Sequence, residues 1–310
     1  MEIKVVERKL RLPGQDNEAS FPFVVVDCPE AWPEAREMSG QKVMQFGQNK
    51  LSFTTHGVSY DDYVAIQQKW HVPEWDNKDQ DPPPNFVAER AMAITDRRIA
   101  LIEASMQKPV PGATQDDKRN WLRARTQGEV DALISLVNSN GCAWLDSNTR
   151  TTLISQYQAI CEQNSRVVNV DDLDAWGAAS ESKYSFLLQR PFDSFITEFQ
   201  LRGLQREDVV RIQKECSPGD PPLMSVTDAG GRIIGTRPNL NDPNFQIRQS
   251  KANKKELLLY LKLALPFEVP GKDEAEQMEW LGKRLIGDLT LLKQFIETRI
   301  LSYQGELELF

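Results

Sequence analysis

The feature that most constrains this chain is that much of it is written twice. Pro84-Asn85-Phe86 recurs as Pro243-Asn244-Phe245, an offset of 243 − 84 = 159 positions. At the same offset, Val110-Pro111-Gly112 becomes Val269-Pro270-Gly271. Trp121-Leu122-x-x-Arg125-x-x-Gly128-Glu129 likewise becomes Trp280-Leu281-x-x-Arg284-x-x-Gly287-Asp288, with no gap between the landmarks. Upstream, Asp62-x-Val64-x-Ile66-Gln67 pairs with Asp208-x-Val210-x-Ile212-Gln213 at an offset of 208 − 62 = 146. The second copy therefore carries 159 − 146 = 13 additional residues between these landmarks. Two copies are too few for a solenoid, whose units are stabilised by stacked neighbours. They suit two similar lobes.

The spacing within each copy predicts an order of elements. Residues 1–55 read as β-rich: Lys4-Val5-Val6 and the run from Phe21 to Val26 are strand-like and bounded by Pro, Gly and Asn. Residues 43–54, around Gly47-Gln48-Asn49, have hairpin chemistry. Ser59-Tyr60-Asp61-Asp62 fits a capping box and predicts a helix that ends before Pro73. A second helix is expected from Asn85 to about Lys108, where Pro109 and Pro111-Gly112 stop it. A third is expected over residues 116–137, with Leu122, Val130, Leu133 and Val137 on its apolar face. In the second copy, Leu281, Leu285, Leu289, Leu292 and Ile296 make a fuller stripe. Phe46 and Phe53 match Phe192 and Phe199 at the 146 offset, so the strand-then-helices order repeats. The additional residues of the second copy include Val226 to Ile234, read as a protruding hairpin. The expected division is 1–137 for an N-terminal β segment plus the first lobe, 138–183 for a linker with one helix starting near Ser147, and 184–310 for the second lobe with its inserted hairpin. The fold class is α+β, mainly α: two similar helical lobes, each preceded by a small β element.

Charge and composition exclude several functions. A net charge of −8 makes a poor match to nucleic acid, which selects basic surfaces. The most apolar run, residues 257–265, is broken by Lys262 and falls short of the roughly 20 residues that span a bilayer. The N-terminal residues lack the apolar core of a signal peptide, so the expected location is the cytoplasm. The cysteines, at 28, 142, 161 and 216, form no C-x-x-C pair, and free thiols are expected.

Catalytic signatures are absent. The two histidines, His56 and His71, sit in no metal-binding motif. Gly230-Gly231-Arg232 to Arg237 places Thr236-Arg237 where a phosphate loop needs Lys then Ser or Thr, so a hairpin is favoured. The acids from Asp76 to Asp81 lack the spacing of a calcium loop, and Asp171, Asp172 and Asp174 read as the acidic first turn of a helix. The most interesting polar-aromatic set is the repeated one. Trp121 with Arg125, and Trp280 with Arg284, are four positions apart and are expected on one helix face. They are candidates for partner binding, where Trp and Arg are enriched. A structural reading stands beside it: an Arg stacked on Trp or bonded to a loop carbonyl. Gly128 and Gly287 are expected to mark a close helix–helix approach.

The pieces Gly57-Val58-Ser59-Tyr60-Asp61-Asp62 through Ile66, Pro82-Pro83-Pro84-Asn85-Phe86, Gly203 to Ile212, and Asn241-Asp242-Pro243-Asn244-Phe245 carry a family resemblance. The order of a short β segment, an Ile-bearing helix, a Pro-rich loop and two amphipathic helices resembles small phage proteins known as tail assembly chaperones, over about half of the chain. The resemblance implies a non-enzymatic assembly protein without cofactors, whose partner is another protein. A regulatory adaptor that sequesters an effector in a signalling or defence pathway is the alternative.

Overall fold

The valine-rich N-terminal segments form β1 (Val5–Arg11) and β2 (Glu18–Val26). The fold was described from a computed structural model, for residues 5–11, 18–46, 49–75, 81–142, 183–189, 196–227 and 232–300. After β2 come two 3₁₀ turns, Pro29–Ala31 and Ala35–Glu37, and then the antiparallel hairpin of β3 (Ser39–Phe46) and β4 (Asn49–His56). The N-terminal strands do not join that hairpin. They form a four-stranded sheet in the order β1-β2-β6-β5 with β5 (Lys183–Gln189) and β6 (Ile196–Arg202). In this sheet β2 runs parallel to β6, pairing Phe23 with Ile196 through Val26 with Phe199, while the other neighbours are antiparallel. The strands placed with the first lobe by sequence thus sit beside strands of the second copy.

Helix α1 (Tyr60–Lys69) starts where the capping signal places it. The Ser59 hydroxyl accepts a hydrogen bond from the Asp62 amide at 3.1 Å and donates to the Asp62 carboxylate at 2.8 Å. Helix α2 (Pro84–Ser105) stops three residues short of the expected Lys108. Met106 turns extended and forms a β-bridge with Thr55, and the Gln107 amide donates to the Thr54 carbonyl, so β4 captures the chain before the prolines do.

The single helix expected over residues 116–137 is two helices, α3 (Gln115–Arg123) and α4 (Gln127–Leu136). The cause is a capping box in the middle of the apolar pattern. Thr126 accepts from the Glu129 amide, and the Glu129 carboxylate accepts from the Thr126 amide at 2.9 Å, which starts a new helix. Gly128 lies in the first turn of α4, and a Cβ there would meet nothing within 4 Å, so no close helix approach exists at that position. A π-turn, Val137–Gly141, ends α4. Residues 138–141 were expected to open a linker. They are packed instead: the Gly141 carbonyl accepts from the Val58 amide at 2.7 Å, and a Cβ on Gly141 would come within 2.4 Å of Ser105 Cβ. The expected helix from Ser147 to Cys161, Asp171 to Asp174, and Asp76 to Gln80 lie outside the described residues.

The second helical block follows β6: α5 (Arg206–Glu215), α6 (Pro243–Ala264), α7 (Glu274–Gly282), α8 (Ile286–Phe295) and a π-turn, Ile296–Ile300. Helices α1 and α5 are each 10 residues long, and α2 and α6 are each 22. Gly112 and Gly271 precede α3 and α7 with φ of +137° and +135°, a backbone that L side chains avoid. Between α5 and α6, β7 (Leu223–Thr227) and β8 (Ile233–Pro238) form the expected hairpin. The main core joins the four-stranded sheet to α6, α7 and α8 through Val26, Phe199, Leu258, Leu261, Leu281 and Leu289. A smaller core, with Ile99, Ile102, Val110, Leu122 and Val130, holds α2 to α3 and α4. The molecule is therefore α+β and mainly helical, and no helix among the described residues is long and apolar enough to cross a membrane.

Candidate functional site

The two Trp–Arg pairs do not lie along one helix each. Trp121 lies in the last turn of α3 and Arg125 sits in the corner before α4; Trp280 lies in the last turn of α7 and Arg284 sits in the corner before α8. The stacking survives this change, because the corner folds the arginine back over the ring. The guanidinium carbon lies 5.1 Å from the Trp121 ring centroid for Arg125 and 4.1 Å from that of Trp280 for Arg284. The environments differ. Trp121 and Trp280 are both half-buried, but Arg125 is exposed whereas Arg284 is only 4% exposed.

What covers Arg284 is the segment between β2 and β3. Trp32, 1% exposed, inserts its indole edge-on to Phe199 at 4.9 Å and to Trp280 at 5.7 Å between centroids. The Trp32 Nε1 donates to Asp288 Oδ2 at 3.0 Å, and Asp288 is itself buried. Arg284 donates from its guanidinium to the Trp32 carbonyl and from Nε to the Trp280 carbonyl at 3.2 Å, and it lies 3.6 Å from Glu34. Burial pulls the Arg284 pKa below the ordinary arginine value, and the negative charges of Glu34, Glu37 and Asp288 oppose that pull. An arginine starts high enough to remain a cation at neutral pH. The cation is thus retained in a buried place because carbonyls, a carboxylate and a ring face replace its water.

Backbone contacts continue this clasp. The Ala35 amide donates to the Lys283 carbonyl at 2.9 Å, and the Gly57 amide donates to the Met38 carbonyl at 2.9 Å. The Tyr60 amide donates to the Arg284 carbonyl at 3.0 Å and the Ile286 amide to the Val58 carbonyl at 3.1 Å. Two glycines make room. A Cβ at Gly57 would sit 2.4 Å from the Ala35 carbonyl oxygen, and one at Gly282 would sit 2.0 Å from an Asp61 carboxylate oxygen. Gly287, expected to mark a close approach, is buried in the first turn of α8.

A second buried polar cluster ties α2 to α3. Arg119 grips Asp96 with two hydrogen bonds, Nε at 2.7 Å and Nη2 at 2.5 Å, while Gln115 donates to the same carboxylate at 2.9 Å. Burial acts to raise the Asp96 pKa, but the Arg119 and Gln115 hydrogen bonds outweigh it and hold it below the usual carboxylate value. A fully paired carboxylate of this kind is a structural strut rather than a poised acid or base.

The remaining candidates for chemistry stand apart. His71, just past the end of α1, faces Gln246 of α6, with 3.4 Å between Nε2 atoms, and His56 ends β4. Thr236 and Arg237 are strand residues of β8. No group of three His, Cys, Asp or Glu among the described residues could hold a metal ion. The arrangement thus offers clasping and burial of apolar surface. Sequence reasoning missed Trp32, because it lies upstream of the landmarks that define the repeat. No protein-family model matches this chain, and no curated protein or solved structure shows significant similarity to it.

Proposed function

We propose that this chain is a non-enzymatic protein-binding protein that acts in assembly, in the manner of a phage tail assembly chaperone, and that it is built from two copies of one helical unit. The matched lengths of α1 with α5 and of α2 with α6, the matched Gly112 and Gly271 backbones and the two terminal π-turns support the duplication. One observation carries the binding role: the β7–β8 ribbon. Leu223 and Ile233 are each 69% exposed and Ile234 is 65% exposed. Neighbours on a strand point to opposite faces, so Ile233 and Ile234 leave both faces of the ribbon bare. A two-stranded ribbon is marginal by itself in water, and clustered exposed apolar side chains mark interaction surfaces. A partner's apolar surface laid against the ribbon would stabilise both, which is the task of an assembly chaperone.

The test is to isolate the tagged chain from its native lysate beside the double variant I233D/I234D and to identify bound proteins by mass spectrometry. The expected outcome is a stoichiometric tail or capsid protein that the double variant loses while its urea midpoint stays unchanged. A single partner from outside a virion would favour the sequestering adaptor. Recovery of the bare chain, or equal binding by the double variant, would sink the proposal.

A further inference from the structure

The long helices of the two repeats differ in what covers them. The start of α6, in the second repeat, lies under α1 of the first, and the two helices run antiparallel. Lys254 of α6 bonds Asp61, in the first turn of α1, at 2.6 Å. Gln246, near the start of α6, approaches His71, just past the end of α1, at 3.4 Å. Between these ends, Tyr60, Val64 and Gln68 face Phe245, Gln246 and Ser250 across a cleft. Phe245 is buried there, and Val64, Gln246 and Ser250 are half-buried.

The equivalent faces of the other two helices do not meet. The offset of 146 carries Tyr60, Val64 and Gln68 of α1 to Arg206, Val210 and Lys214 of α5. The offset of 159 carries Gln246, Ser250 and Lys251 of α6 to Val87, Ala91 and Met92 of α2. Helices α5 and α2 are not packed together, and both faces are open to water. Val210 is 38% exposed, Val87 50% and Met92 42%, and Arg206, Lys214 and Ala91 are exposed as well. The uncovered face of α2 is also more apolar than the covered face of α6. Val87, Ala91, Thr95, Ile99 and Ile102 follow one another at helical spacing, so they form one stripe. Its later residues, Ile99 and Ile102, are in the core, whereas Val87 and Ala91 overhang it. A demand of the scaffold would appear in both repeats. An apolar overhang present in one of them marks a surface that meets a partner.

We infer that this chain binds another molecule of itself, with α5 of one packed antiparallel on α2 of the next as α1 packs on α6 within the chain. Val210 then lies against Val87 and Ala91, as Val64 faces Gln246 and Ser250. The small side chains of Ala88 and Ala91 let the helices approach. The stems of Arg206 and Lys214 lie along the apolar stripe with their charged ends in water. The Asp61–Lys254 ion pair has no counterpart, because Thr95 stands at the lysine's place, so apolar contact carries the association. The contact joins unlike faces, and each molecule offers one of each. It therefore closes into a ring of two or more molecules or runs on as a filament. The inference rests on the duplication proposed above and not on the binding role of the ribbon.

Sedimentation equilibrium of the full chain tests this, beside Val87→Asp and Val210→Asp. One helix pair is a small interface, so the association is weak and is read at high protein concentration. The apparent mass of the parent should rise above that of one chain as concentration increases. Each variant alone should stay at the mass of one chain, because one of its two faces is spoiled in every molecule. An equimolar mixture of the two should form dimers and nothing larger, since one intact α5 face meets one intact α2 face. Both positions face water, so the urea midpoints of the variants should match the parent's. A parent that stays at one-chain mass would overturn the inference. So would a variant that associates like the parent, or a mixture that stays monomeric while the parent associates. Val64→Asp tests the template separately and should lower the urea midpoint, because Val64 is half-buried between α1 and α6. An unchanged midpoint would remove the template and the inference with it. A lowered midpoint with a monomeric parent would sink the self-association alone and leave the duplication standing.

Discussion

Replacing Trp32 with alanine removes the largest side chain that joins the N-terminal segment to the second helical block. The indole is 1% exposed and touches both Phe199 and Trp280, so its loss leaves a cavity between the sheet, α7 and α8. Such truncations cost about 3–5 kcal/mol. The indole is also a hydrogen-bond donor to the buried Asp288 carboxylate, and withdrawing a donor from a buried charged group adds about 1–3 kcal/mol. Trp32→Phe separates the two contributions. It keeps most of the aromatic contact and loses the donor, so its cost should be near the second figure alone. Urea unfolding followed by far-ultraviolet circular dichroism reads both variants against the parent. The order parent, Trp32→Phe, Trp32→Ala in falling midpoint supports the geometry. A Trp32→Ala protein within about 1 kcal/mol of the parent, the range of ordinary substitutions, would refute the reasoning.

The two arginines should behave differently despite their equivalent places in the repeat. Arg284→Ala, which strips the Trp32 carbonyl and the Trp280 face of a buried cation, should cost about 2–4 kcal/mol, whereas exposed Arg125→Ala should stay within about 0.5 kcal/mol; equal losses in urea melts would contradict the asymmetry. The Asp96 pKa is lower in the folded chain than in the unfolded one, so the unfolded chain takes up the proton first as pH falls. The stability from the Asp96–Arg119 pair is therefore full at neutral pH and is lost as pH drops below about 4, the ordinary carboxylate value. Urea midpoints from pH 7 to 3 should show this, and Asp96→Asn should be weaker at pH 7 with a shallower acid slope. Gly57→Ala, which drives a Cβ into the Ala35 carbonyl, should destabilise by about 1–3 kcal/mol. Gly128→Ala, with open space around it, should gain up to about 1 kcal/mol in helix propensity, and a loss there would restore the close helix contact that its sequence position suggested.

Local elements were readable because their signals are local. Ser59 before Asp62, and Pro84-Asn85-Phe86, mark helix starts within four residues, and the same holds for the pairings of β3 with β4 and of β7 with β8. The corner between α3 and α4 was hidden because Leu122, Val130, Leu133 and Val137 continue an apolar pattern through it. Thr126-x-x-Glu129 was the overlooked signal. Partners of strands were not readable, since alternation identifies a strand but not the neighbour its backbone will choose. The pairing of β2 with β6 spans the first copy and the segment after it, and the clasp depends on that pairing. The role of Arg284 was half legible: its stacking on Trp280 follows from spacing, but its burial comes from Trp32, 284 − 32 = 252 positions away.

That parallel pairing also sets a timetable. Phe23 is synthesised 196 − 23 = 173 residues before its partner Ile196. At about 5–20 residues per second, the valine-rich strand waits roughly 9–35 s from its synthesis with that edge unfilled. The hairpin, α1 and the first helical block can all form during that wait. A strand made among the first in the nascent chain is thus among the last to have both edges paired, and a chain cut short before residue 196 leaves one edge of that apolar strand unfilled.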